Sequence, residues 1–178
     1  MTIVNQLLTE GVGPTATLVT NVLWRVMQQP TNWQHLAQDP DFTQKLIDES
    51  LRFDPPKLAI FRTATEDCND YGTKIPKDAR VMLHLGAANR DPRIFENPNR
   101  FIANRAAIRN VAFGLGTHFC IGAQLSRAIA ATAIESVHRH CPGLNLGGPG
   151  KRTEAFYQWG RSRLPVTTKT SAVPLRAG

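Results

Sequence analysis

Ten residues near the middle of the chain, Phe113-Gly114-Leu115-Gly116-Thr117-His118-Phe119-Cys120-Ile121-Gly122, carry the clearest chemistry. Cys120 stands just ahead of a strongly helical run. Gly114 and Gly116 precede it and Gly122 follows. Glycine reaches backbone angles closed to other residues and lets a flat ligand come close. A helix start offers free N–H groups and partial positive charge, which favour thiolate over thiol. The loop therefore suits presentation of one sulfur anion to a metal. A glycine turn around a structural cysteine accounts for Cys-x-Gly alone, but not for the whole ordered string. His118-x-Cys120 could form half of a zinc site, yet no second Cys/His pair has zinc spacing.

A second cluster is Glu49-Ser50-Leu51-Arg52, whose acid and base at i and i+3 share a helix face and can pair. Taken alone, such a pair is usually a solvated surface contact worth under about 1 kcal/mol.

Composition bounds what these groups can serve. The 178 residues suffice for one domain with a proper core, and the 42% hydrophobic content is that of a globular chain. No apolar run approaches membrane-spanning length and no secretory signal pattern opens the chain. The three cysteines (Cys68, Cys120, Cys141) have no disulfide-framework spacing, which predicts reduced thiols in the cytoplasm. The net charge of +7 suits surface solubility or an acidic partner. No basic block or aromatic-interleaved stripe supports a nucleic-acid partner.

The elements that must position these residues follow from periodicity. Val4, Leu8, Val12, Thr15, Val19, Val22 and Val26 predict a long helix over about Ile3 to Gln29, stopped by Pro30. Thr31-Asn32-Trp33-Gln34 reads as a capping box opening a short helix to about Gln38. Asp39-Pro40 opens a third helix, with Phe42, Leu46, Ile47 and Leu51 on one side and Pro55-Pro56 at its end. Lys57 to Met82 reads as short antiparallel strands, His84 to Arg90 as a helical turn or two, and Asp91 to Asn110 as a packed irregular segment. Ile121 to His140 predicts a long helix with Leu125, Ile129, Ala133 and Val137 inward, ended by Pro142-Gly143. The remainder is loop and weak strand, with a frayed tail from about 167 to 178. The fold class expected is mainly α with a small antiparallel β-sheet.

At every fixed position the ten-residue string resembles the haem-binding loop of the cytochrome P450 family, Phe-Gly-x-Gly-x-His/Arg-x-Cys-x-Gly. The resemblance covers nearly the whole chain and implies the C-terminal half of that fold, a single haem-thiolate domain over 1–178 lacking the segment upstream. It implies haem b as cofactor and Cys120 as the proximal thiolate ligand. His118 and Arg62 would clamp propionates, Phe113 would pack beside the sulfur, and Gly11, Gly114 and Gly122 would lie against the cofactor. Glu49 and Arg52 match the family's Glu-x-x-Arg. Asn97-Pro98-Asn99-Arg100-Phe101 matches the segment that supplies a third member, so Arg100 is expected to complete the brace. Lys57 to Ile60 and Phe156 to Trp159 match segments that line family pockets. The implied reaction is insertion of one oxygen atom from dioxygen into a small organic substrate, with electrons from an acidic ferredoxin or flavodoxin.

One stretch departs from the family pattern. Where the long helix should carry an acid followed by threonine, this chain has Gly13-Pro14. Proline has no N–H and disturbs a helix interior. Thr15 falls one position late, about 100° round the helix, and Glu10 replaces a small residue. Glu10 and Thr15 are the candidate proton-handling groups. The departure opens two alternatives: a peroxide-using haem-thiolate enzyme, or a non-enzymatic haem-binding or interaction fragment. A chain lacking the upstream half is further expected to expose apolar faces on its first and last long helices, and to self-associate or meet that half through them.

Overall fold

The computed structural model describes residues 3–36, 39, 41–69, 72–107 and 109–168. The first helical run begins as α1 (Ile3–Gln6), widens into a π-helical turn over Leu7–Gly11, and continues as α2 (Val12–Met27). Pro14 explains the order. A proline ring clashes with the carbonyl four residues back and supplies no donor to it. In the first turn of α2 that donor is not required, and the π turn just before it shifts the Glu10 carbonyl.

α3 (Pro30–His35) starts two residues earlier than the capping-box reading, in which Thr31 would be the cap. Pro30 is its first residue and Gln29 its cap, without a side-chain cap bond. Proline's fixed φ suits the first helical position, so Pro30 ends one helix by opening the next. The end expected near Gln38 lies outside the described residues. α4 (Phe42–Phe53) is followed by Asp54. β1 (Ala59–Thr63) pairs antiparallel with β2 (Arg80–His84), and α5 (Leu85–Ala88) follows directly, capped by the His84 side chain. α6 (Ala123–His140) is the last helix. Two further antiparallel ribbons close the chain: β3 (Leu144–Leu146) with β6 (Val166–Thr168), and β4 (Lys151–Arg152) with β5 (Arg161–Arg163). The chain is mainly α with small antiparallel sheets, as expected; among the described residues the strands form three two-stranded ribbons. Residues 166–168 belong to a paired strand rather than to a frayed tail, and 169–178 lie outside the described residues.

The core forms where α2, α4 and α6 meet, around Leu18, Val22, Val26, Leu46, Ile47, Leu51, Ala130 and Ile134. α4 keeps the apolar side read from its sequence. α6 does not: Leu125 and Ile129 are 64% and 46% exposed, and the buried positions are Ala123, Ala130, Ala131 and Ile134. The small residues let α6 approach α2 and α4 closely, with Ile134 in the core and Val137 packed against it, while Leu125 and Ile129 face outward. Similarly, Ile3, Val4, Leu7, Leu8 and Val12 are exposed on α1, the π turn and the start of α2. These are the uncovered faces anticipated from the sequence. Among the described residues, no helix is long and apolar enough to cross a membrane.

Candidate functional site

A cavity of about 360 Å³ lies between the first helical run and the cysteine loop. Gln6, Glu10, Pro14 and Leu18, spaced by four, line one side. Phe113, Gly114, His118, Cys120 and Ser126 line the opposite side, and Leu51, Pro56, Lys57, Ile60, Arg62, Leu85 and Ala112 the rest. The loop is shaped by Gly114 and Gly116, at φ +73° and +72°, a region strained for any side chain. The Cys120 N–H donates to the Phe113 carbonyl at 3.0 Å, folding the loop back on itself. A short 3₁₀ turn over Gly116–His118 brings His118 to the cavity.

The polar groups around this apolar space are few and directed. Arg62 donates to the carbonyl of its neighbour Phe61 at 2.8 Å and has no acidic partner among the described residues. The thiol, the guanidinium and the imidazole, set among apolar residues such as Leu18, Leu51, Ile60, Leu85 and Phe113 with Gln6, Glu10, Lys57 and Ser126 as the other polar groups, suit an iron porphyrin, which presents a metal, an apolar ring and carboxylates on its edge. Gly122 lies beyond the lining, where an added Cβ would sit 3.8 Å from the Cys120 Sγ. No three His, Cys, Asp or Glu converge among the described residues in a way that could hold a metal ion, so the zinc alternative finds no ligand set there.

Of the two proton-handling candidates, Glu10 reaches the cavity and Thr15 does not. The Thr15 hydroxyl donates to the Gly11 carbonyl at 2.7 Å and shares a 3.1 Å hydrogen bond with Ser126 Oγ, tying α2 to α6. Pro14 occupies the wall instead. Gly11 is likewise outside the lining, its carbonyl taken by Thr15. Glu10 is paired: its Oε2 accepts from Lys57 Nζ at 2.9 Å.

Behind the cavity sits the brace. Arg52 forks onto Glu49 with two 2.7 Å bonds, both residues being almost wholly buried. Its other donors reach the carbonyls of Asn89, Pro98 and Arg100 at 3.0, 2.9 and 3.0 Å. All five guanidinium hydrogens therefore have acceptors. The third side chain is Arg105, not Arg100. Arg105 Nε donates to Glu49 Oε2 at 2.9 Å, whereas Arg100 gives only its carbonyl, to Arg52 and Arg105. The turn at Asn97, in a left-handed conformation (φ +47°), presents carbonyls of the 96–100 segment to both guanidiniums. The Arg100 carbonyl thus serves the two guanidiniums, while the Ile102 N–H donates to Glu49 Oε1 at 2.8 Å. Periodicity offers no sign of this in an irregular segment.

Four further residues were not singled out from sequence. Arg105 closes the brace. Ser126 adds a hydroxyl to the wall beside Cys120. Arg127 donates to Asp48 at 3.1 Å and stacks on the Phe113 ring at 4.7 Å, pinning the loop to α4. Asp54 anchors a second charged cluster. Its carboxylate accepts from Arg25 and, at 2.6 Å, from the Trp159 indole. Trp159 thus faces the end of α4 rather than the cavity, while Tyr157 lines an adjoining recess. Arg90 covers the Phe53 ring, Arg152 the Trp159 ring and Arg161 the Trp24 ring. Burial lowers the pKa values of all three, Arg161 to about 10, and repulsion from neighbouring arginines, Arg25 in each case, adds to the effect.

The profile of the family described as cytochrome P450 matches residues 1–141. The chain belongs to the cytochrome P450 family. A cytochrome P450 of Bacillus subtilis is 37% identical over 147 residues, which is 82% of this chain and 36% of that protein. The biotin biosynthesis cytochrome P450 of the same organism is 36% identical over 154 residues, 86% of this chain and 39% of that protein. The crystal structure of P450BioI in complex with hexadec-9Z-enoic acid ligated acyl carrier protein superposes with a TM-score of 0.85 at 34% identity, covering 90% of this chain and 42% of that one. CYP109E1 from Bacillus megaterium in complex with testosterone gives 0.88 at 28% identity, covering 92% and 46%. The chain spans about two fifths of the length of the relatives it matches. The fold is that of the cytochrome P450s over the part it contains, and the family's cofactor is haem b.

Proposed function

We propose that this chain is the haem-thiolate portion of a cytochrome P450 that inserts one oxygen atom from dioxygen into a small organic substrate, with Cys120 as the proximal ligand. The supporting observation is the cavity in which Cys120 faces the first helical run, with the unpaired Arg62 and His118 on its border. Those two side chains would hold the propionates, with Phe113, Gly114 and Gly122 beside the ring and sulfur. Bound there, haem b supplies a thiolate-ligated iron that activates oxygen. The chain's own residues do the rest. Glu49, Arg52 and Arg105 fix the irregular segment leading to Cys120. Glu10 is the carboxylate bordering the cavity and the residue suited to pass a proton towards it. Thr15 holds α2 against α6.

The rest of the reading concerns the whole protein: one haem-thiolate domain in the cytoplasm, reduced by an acidic ferredoxin or flavodoxin, to which the net charge of +7 is suited. The exposed apolar faces of α1, α2 and α6 would meet either the remainder of the P450 fold or a second copy.

The test is the carbon-monoxide spectrum of the reduced, haemin-loaded chain. A thiolate-type Soret band in the wild type and its loss in Cys120→Ser are expected. No haem uptake, with Cys120→Ser behaving like wild type, overturns the reading and leaves a non-enzymatic fragment. Use of peroxide rather than dioxygen is the second reading, favoured by Pro14 in the wall and by a Thr15 hydroxyl directed elsewhere. Turnover driven by hydrogen peroxide but not by a reductase system decides for it.

A further inference from the structure

The Glu10–Lys57 pair stands where two spaces meet. The cavity of about 360 Å³ facing Cys120 and an outer recess of about 380 Å³ are both lined by Glu10, Lys57 and Ile60. The outer recess is completed by Ala59, Phe61 and Tyr157, so apolar and aromatic surface continues past the pair. An ion pair at this junction is either a structural tie or half of a recognition site.

The two partners are not held alike. Lys57 is anchored: its backbone bridges to Gln158, its ammonium lies 5.3 Å from the centre of the Tyr157 ring, and its side chain is 24% exposed. Glu10 hangs from the π turn, is 52% exposed, and has Lys57 as its ion-pair partner. An ion pair so open to water contributes little to stability, so exchanging its acid for another costs little. The fixed charge at the junction is therefore the cation, and the replaceable one is the carboxylate. Arg62, the other cation bordering the cavity, lies where a propionate would take it, which leaves Lys57 as the ammonium able to greet an incoming anion.

We propose that Lys57 is the specificity residue for an apolar substrate carrying a carboxylate, and that Glu10 is its resting counter-ion, displaced when that carboxylate binds. This rests on the proposed reading in which haem takes the inner cavity, which leaves the outer recess for the substrate. The acid's apolar chain would lie along Ile60 and Phe61 in that recess.

The experiment is calorimetric titration of the full haemin-loaded chain with octanoate, 1-octanol and octylamine, after the carbon-monoxide spectrum of the same sample has been recorded. Octanoate is expected to bind at least about tenfold tighter than 1-octanol. Lys57→Met should abolish that preference and Lys57→Arg should keep it. Glu10→Gln should tighten octanoate several-fold and leave 1-octanol unchanged. Should Lys57→Met fail to fold by circular dichroism, the opposite responses of octanoate and octylamine to Glu10→Gln carry the test alone. Equal affinity for acid and alcohol, or an acid preference that survives in Lys57→Met, overturns the proposal. So does an amine preference that Glu10→Gln removes. The spectrum reports separately on the haem reading: without a thiolate band that reading fails, while the titrations still answer for Lys57.

Discussion

Two charged clusters flank the C-terminal end of α4, and they solve the burial of arginine in different ways. At Glu49 one carboxylate faces two guanidiniums. Every donor of Arg52 reaches an acceptor, and Arg105 spends its remaining donors on carbonyls of the 96–100 segment. At Asp54 one carboxylate serves four arginines. Arg25 takes it directly, and Arg90, Arg152 and Arg161 sit over aromatic rings. Buried atoms of Arg152 (Nη1) and Arg161 (Nε) find no acceptor among the described residues. In the first cluster the Arg52 guanidinium is saturated and therefore held in one place, although the adjoining Asn89 Nδ2 finds no partner among the described residues. The second keeps excess positive charge that stacking only partly offsets. Saturation is the property that lets the Glu49 cluster hold an irregular segment in one shape behind Cys120.

The sharpest way to break this contrast is removal of each acid. Glu49→Ala should cost about 3–5 kcal/mol, because it strands two buried cations, and denaturant unfolding should show a chain at or beyond the edge of folding. Asp54→Asn should cost less, about 1–3 kcal/mol, since the asparagine still accepts from Trp159 and the rings still cover the arginines. Equal losses in the two variants would erase the distinction. Next in size is the third member of the brace. Arg105→Ala should lose about 1–3 kcal/mol by the same measurement, while Arg100→Ala should stay within about 0.5 kcal/mol, because only the Arg100 main chain is used. The reverse order would restore Arg100 to the acid.

Smaller still is the effect of relieving the crowded cluster. Arg161→Met keeps an apolar body against Trp24 and removes a charge that burial and Arg152 disfavour. The melting temperature should hold or rise by up to about 3 °C; a clear fall would show that the excess charge is compensated. The smallest effect is on the surface. Hydrogen bonds from Arg93 hold the Asp91 carboxyl at about 2, below its ordinary 3.8. A carboxyl lowered in this way adds stability that is present above its ordinary value and lost as pH falls through about 2. An NMR titration of Arg93→Ala should find Asp91 raised towards its ordinary value but still below it, because the backbone N–H of residue 93 continues to donate to the carboxylate.

What could be read from the chain alone depended on how local the physics was. The ten-residue string around Cys120, the Glu49–Arg52 spacing and the three main helices are encoded within a turn or a loop, and the structure places them accordingly. The identity of the third arginine was not legible. It depends on which carbonyls the Asn97 turn directs inward, and neighbouring arginines in an irregular segment look alike. Thr15 shows the same limit. Its rotation away from the usual position could be read from helix geometry, but its bond to Ser126, 111 residues later, could not.

The sequence by itself determined the glycine-rich cysteine loop, the family and the order of the main helices, because glycine angles, helical periodicity and i, i+3 pairing act over a few residues. Tertiary structure alone decided which residues share a space. It joined Glu10 to Lys57, turned Leu125 and Ile129 outward while α6 packed through its alanines, and gathered four arginines around Asp54. Those outcomes depend on which surfaces meet and on where burial removes water from charge. Neither quantity is carried by any short stretch of the chain.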